Sequence, residues 1–88
     1  MSRSEIRVGE LVRATHGRDK GELFLVVAKE GELLRICDGK RRKAANPKKK
    51  KQKHVESTGL ICQRIAEDAA CANNVLVRRE IRELSKNF

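Results

Sequence analysis

Leu23-Phe24-Leu25-Val26-Val27-Ala28, followed after Glu30-Gly31 by Leu33-Leu34-Arg35-Ile36-Cys37 and then by Asp38-Gly39, is the stretch that decides the fold. The first six residues are all apolar, include β-branched and aromatic members and lack helical spacing, so they read as the central, most buried strand. Leu34 and Ile36 flank Arg35 in a second short strand that turns one face to the core. Glu30-Gly31 supplies the turn between the two. Asp38-Gly39 is a strong hairpin signal, so the chain is expected to double straight back through Lys40 to Ala45 as a strand. Asn46-Pro47 ends that strand, because proline cannot donate to a ladder.

Upstream, Met1 to Ile6 are polar and expected to fray. Val8, Val12 and Ala14 share one face and Arg13 and Thr15 the other, giving a half-buried first strand with Leu11 out of step. His16-Gly17-Arg18-Asp19-Lys20-Gly21 then forms a loop whose two glycines allow positive φ. Downstream of Pro47 the lysine run is expected as an exposed loop, and His54-Val55-Glu56-Ser57 as a short closing strand. These short strands read as mainly β: a small antiparallel barrel of about five strands, closed so that few edges remain exposed. From Thr58 the pattern changes. Leu60, Ile61, Ile65, Ala66, Ala69 and Ala70 recur near helical spacing and predict a helix of about ten residues. Asn73-Asn74 interrupts it, and Asn74 is the expected N-cap of a second helix with Val77, Ile81 and Leu84 as its apolar stripe. That stripe is read as packing against the barrel, with a partner-helix or dimer surface as the alternative. Val75-Leu76-Val77 also fits a strand. The division is residues 1–58 as barrel, including a basic segment 40–54, and 59–88 as a helical C-terminal extension.

The basic segment organises the charge. Lys40 to His54 holds nine of the twenty-one Lys and Arg residues and no Asp or Glu, so the remaining chain is neutral and the net charge of +9 resides in this run. Burying such a block unpaired would cost several kcal/mol per charge, so it must lie on a surface and project a positive field. A solvated tether is the bland reading, and the mid-chain position of the run speaks against it. Eighty-eight residues suit one small domain with a working surface rather than a large enzyme cleft. The pI near 10.0 favours nucleic acid as the partner. No run is long and apolar enough for a membrane span and the N-terminus lacks a signal-peptide pattern, which makes a cytoplasmic protein the expectation. Cys37, Cys62 and Cys71 form no CxxC pair, and even with His16 and His54 they make a poor zinc pattern. They are expected as buried or half-buried free thiols, with no metal and no cofactor.

The first loop carries a resemblance. Gly9-Glu10-Leu11-Val12-Arg13-Ala14-Thr15-His16-Gly17-Arg18-Asp19-Lys20-Gly21 resembles the KOW motif of ribosomal and transcription-elongation proteins. The continuation through Asp38-Gly39-Lys40-Arg41-Arg42-Lys43, Asn46-Pro47-Lys48 and Lys53-His54 is similar to small bacterial KOW-domain RNA-binding proteins related to archaeal and eukaryotic large-subunit ribosomal proteins. The resemblance covers residues 8–58 and implies an SH3-like barrel that holds RNA through the loop after its first strand and the adjoining basic surface. By position it places His16, Arg18 and Lys20 near RNA and gives Gly17 and Gly21 the shaping of the loop. Phe24 departs from the pattern, standing where ribosomal versions often have glycine.

The expected RNA-contacting residues are therefore His16, Arg18, Lys20, Lys40, Arg41, Arg42, Lys43, Lys48, Lys49, Lys50, Lys51, Lys53 and His54. Trp and Tyr are absent, Phe24 is placed in the core and Phe88 is the last residue, so no aromatic platform for single-stranded bases is available. Recognition is expected to rest on phosphates, RNA shape and 2′-hydroxyls, with Arg41 and Arg42 best suited to bidentate or stacking contacts. Ribosomal or other structured RNA and the translation machinery are the expected partners of a monomer, with no small-molecule substrate. No paired carboxylates, phosphate-cradling glycine loop or activated nucleophile suggests an enzyme. Asp19 and His16 are read as turn formers with surface hydrogen bonds. The competing classes are an SH3-like protein-interaction module that docks an acidic partner through the basic run, and a DNA-binding accessory protein.

Overall fold

Leu23 to Val27 are apolar throughout because both sides of that strand are covered. In the computed structural model, which describes residues 5–87, Phe24 and Val26 point into one apolar cluster while Leu23, Leu25 and Val27 belong to a second on the opposite face. The first cluster also holds Ile6, Val12, Ala14, Leu34, Ile36 and Val55. The second gathers Leu11, Cys37, Cys62, Ile65, Leu76 and Val77 beneath the C-terminal helices. Leu11 is out of step with Val12 and Ala14 for this reason: it faces the helices and they face the barrel interior. Each such fully buried side chain contributes about 1.5–3 kcal/mol, and a chain of this length needs both clusters.

The fold is mainly β. Strands β1 (Glu10–Ala14), β2 (Leu23–Glu30), β3 (Leu33–Cys37), β4 (Lys48–Lys51) and β5 (Val55–Ile61) form one antiparallel sheet in the order β4-β3-β2-β1-β5. β2 is central, as expected. The sheet is consistent with an SH3-like barrel. A single turn of 3₁₀ helix at Gln52–His54 carries the chain from β4 on one edge to β5 on the other, and no pairing between those two edges closes it among the described residues. Irregularities in the ladders at Val26/Ala28 in β2 and at Glu10/Val12 in β1 mark where the sheet bends. Helices α1 (Gln63–Glu67) and α2 (Asn74–Ser85) follow, with a 3₁₀ turn at Ala69–Cys71 between them. No helix among the described residues is long and apolar enough to cross a membrane.

Several expectations are corrected. Lys40 to Ala45 are not a strand. Asp38 Oδ1 accepts the backbone N–H groups of Lys40 at 2.8 Å and Arg42 at 2.9 Å, an Asx-type turn that coils the chain into a loop instead of a ladder. The strand is the lysine run itself, with Leu34 opposite Lys50 and Ile36 opposite Lys48. Ile6, expected to fray, is buried in the barrel, whereas Met1 to Ser4 lie outside the described residues, as does Phe88. Val8 packs with the helix-side cluster and not with Val12. Residues Thr58 to Ile61 extend β5, so the helix expected there shrinks to α1 and the 3₁₀ turn. Asn73, not Asn74, caps α2 by accepting the N–H of Leu76 at 2.9 Å, and Val75 to Val77 are helical. Phe24, Cys37 and Cys62 are buried, and Cys71 is half-buried; all three thiols are free.

Candidate nucleic-acid interface

The loop between β1 and β2 is shaped by Gly17 (φ 85) and Gly21 (φ 91), both in the left-handed region that side chains with a Cβ avoid. Gly21 N donates to Ala14 O at 2.8 Å and Lys20 N to Gly17 O at 3.2 Å. Arg18 and Lys20 are left exposed, while Asp19 between them is only 4% exposed.

Asp19 is the residue around which the surface is assembled. Its Oδ2 accepts from Arg42 Nη2 at 3.0 Å and from Lys48 Nζ at 3.1 Å. Burial alone would raise its carboxyl, but the hydrogen bonds from Lys48 and Arg42, together with their charges, outweigh that and hold it below the ordinary value. Lys50 adds a third tie by donating from Nζ to His16 O at 2.8 Å. The His16 ring then meets His54, with centroids 4.6 Å apart and planes tilted by 36°. Partial burial, the facing His16 and the charges of Lys53, Lys50 and Lys51 keep the His54 imidazole below the usual histidine range. Four contacts thus fasten the loop after β1 to the loop before β4, to β4 itself and to the turn after it.

No protein-family model matches the chain, and no curated protein matches it. The properties of this surface therefore come from its own geometry. Alternation along β4 sends Lys48 and Lys50 to the barrel side, opposite Ile36 and Leu34, and leaves Lys49 and Lys51 exposed on the outer side. Lys50 is 8% exposed, and its long stem lets Nζ reach the His16 carbonyl from a buried position opposite Leu34. Lysines along an edge strand also deter pairing with a second sheet.

The basic residues divide into two groups. Arg42, Lys48 and Lys50 hold the loop and are engaged with the protein itself. Arg18, Lys20, Lys40, Arg41, Lys43, Lys51 and Lys53 are exposed, and their side chains make no hydrogen bond or ion pair among the described residues. Lys49 is equally unpaired, but it stands apart, beside Arg35, which pairs with Glu30 at 3.1 Å. Sequence reasoning missed the role of Asp19 because nothing local shows that a carboxylate in a turn is buried by cations 23 and 29 residues away. It also missed Asn74, whose Oδ1 accepts Ala44 N at 2.8 Å and pins the basic loop to α2. The one available signal was that Asp19 is the sole acid between Gly17 and Gly21 and has a carboxylate-free block of cations to meet.

Among the described residues no group of three or more His, Cys, Asp or Glu side chains comes together as a metal site. With no carboxylate paired to them among the described residues, these exposed cations repel one another and offer only hydrogen-bond donors. Chemically, such a surface can bind anions.

Proposed function

We propose that this protein binds RNA, holding the phosphate backbone against the loop 16–21 and the basic segment 40–54 in the manner of the KOW-domain proteins that its Gly17-Arg18-Asp19-Lys20-Gly21 loop resembles. The observation that carries this reading is the Asp19 clamp. One buried carboxylate joins two cationic segments far apart in sequence, pairs with Arg42 and Lys48 alone, and leaves Arg18, Lys20, Lys40, Arg41, Lys43, Lys51 and Lys53 exposed and without an ion pair among the described residues. Mutual repulsion among those cations opposes folding, and a polyanion relieves it.

Phosphate and shape contacts dominate in this reading. Arg41, exposed and unpaired, is the candidate for a bidentate phosphate contact, whereas Arg42 already gives Nη2 to Asp19. Structured RNA, such as ribosomal RNA, presents the closely spaced phosphates that an exposed cationic surface attracts. The test is co-purification of the chain from cells with and without ribonuclease treatment, followed by competition between RNA and DNA duplexes. The reading expects RNA in the untreated sample and preference for the RNA duplex. An acidic protein retained after ribonuclease treatment, or equal competition by DNA, overturns it.

A further inference from the structure

The groove on the helix side of the basic loop adds cations that the loop resemblance does not include. Its walls are Gly21 to Leu23, Asp38 and Lys40, and, from α2, Arg78, Ile81, Arg82 and Ser85. Arg78 and Arg82 lie one turn apart on the same side of the helix. Like charges at this spacing disfavour a helix by a few tenths of a kcal/mol, so the pair calls for an anion. None is supplied by the helix. Glu83 pairs with Lys86 at 3.3 Å, and Glu80 lies against Cys62. Lys40, Arg78 and Arg82 have no carboxylate partner among the described residues. Of the two acids on the walls, Asp38 turns Oδ1 to the backbone N–H groups of Lys40 and Arg42, and Glu22 makes no ion pair among the described residues.

The groove is held firmly. Arg78 Nη1 donates to Gly39 O at 2.7 Å, which fixes one edge of the guanidinium beside Lys40 and leaves its other donors to the groove. Gly39 has φ 78, and a Cβ there would lie 2.6 Å from Asn74 O and 2.9 Å from Arg78 Cγ, so α2 is seated directly on the loop. At Gly21 the groove meets the end of the loop that carries Arg18 and Lys20.

We propose that Lys40, Arg78 and Arg82 form a second phosphate site, in which α2 takes up the RNA backbone as it leaves the loop at Arg18 and Lys20. The proposal rests on the RNA-binding reading above and extends it to the C-terminal helix. Its test is fluorescence anisotropy of an RNA duplex titrated with the full chain over a series of salt concentrations. Arg82→Ala is compared with Arg79→Ala, which removes the same charge from the same helix but on the side lined by Arg64, Asp68 and Cys71. Arg82→Ala is expected to raise Kd about fivefold and to lower the salt slope by about one, with Arg79→Ala changing Kd less than about twofold. Lys40→Ala, on the loop and not the helix, is expected to match Arg82→Ala, which keeps the test independent of helix stability. Equal losses from Arg82→Ala and Arg79→Ala, or no loss from Arg82→Ala and Lys40→Ala, against a wild type that binds with a steep slope overturn the second site alone. A wild type whose binding ignores salt overturns the RNA-binding reading and this site with it.

Discussion

Replacing Asp19 with asparagine keeps the shape of the side chain and removes the charge that gathers Arg42 and Lys48. Two charge-assisted hydrogen bonds of about 1.5–3 kcal/mol each set the upper limit of the loss. The side chains of Arg42 and Lys48 are 34% and 30% exposed, so both can rehydrate and an asparagine oxygen can still accept one bond. The net destabilisation of D19N is therefore expected below that limit, at about 2 kcal/mol. For a domain of this size that lowers Tm by about 10 °C, measured by circular dichroism at neutral pH. The sign of the pH dependence follows from the lowered carboxyl. Its stabilisation is present above the unfolded-state value near 3.8 and is lost as pH falls through the still lower folded-state value. Wild type and D19N should accordingly converge in acid. A Tm difference below about 2 °C at neutral pH, or one that persists undiminished in acid, refutes the clamp.

Other outcomes follow from single sites. Gly39→Ala introduces a Cβ at positive φ against Asn74 O, and is expected to cost about 1–3 kcal/mol in denaturant unfolding with the m-value unchanged. His54 lies below the usual histidine range because of partial burial, His16 and the surrounding lysines; a polyanion offsets those charges and lifts it. RNA affinity should therefore rise on acidification from about pH 8 to about pH 6, and His54→Gln should flatten the profile in anisotropy titrations. Burial, with a smaller effect from Asp38, pushes the Cys37 thiol up to about 11, and burial also raises Cys62. A thiol reagent at mildly alkaline pH should therefore modify half-buried Cys71 first in the native protein and all three thiols after unfolding, read by mass spectrometry.

What the sequence made legible is where local pattern and tertiary environment agree. Leu23 to Val27 has no polar face because an apolar cluster packs on each side of it, and Leu34 and Ile36 bracket Arg35 as a one-sided strand should. Gly17 and Gly21 were legible as positive-φ positions, and Val77, Ile81 and Leu84 as the packing stripe of α2. The lysine run was not legible as a strand because Lys48 to Lys51 have identical side chains, so the alternation of inward and outward positions leaves no trace in composition. Pairing with β3 and the apolar stems of Lys48 and Lys50 override the low strand propensity of lysine. Asp38-Gly39 misled for a related reason: the same aspartate that favours a tight hairpin can hold a wider loop through its own carboxylate. Within the candidate interface, the cations were visible as a block. Their division into three that brace the loop and those left for a ligand depends on Asp19 and His16, which only the fold brings to them.

The salt dependence of RNA duplex binding by the wild-type chain tests the central claim most directly. With about five phosphates neutralised by the unpaired cations, log K should fall against log salt with a slope of roughly −4, taking the duplex DNA coefficient as the guide. A slope near zero would mean that the exposed cations carried by the loop after β1 and by the basic segment do not meet phosphates, and would contradict the account.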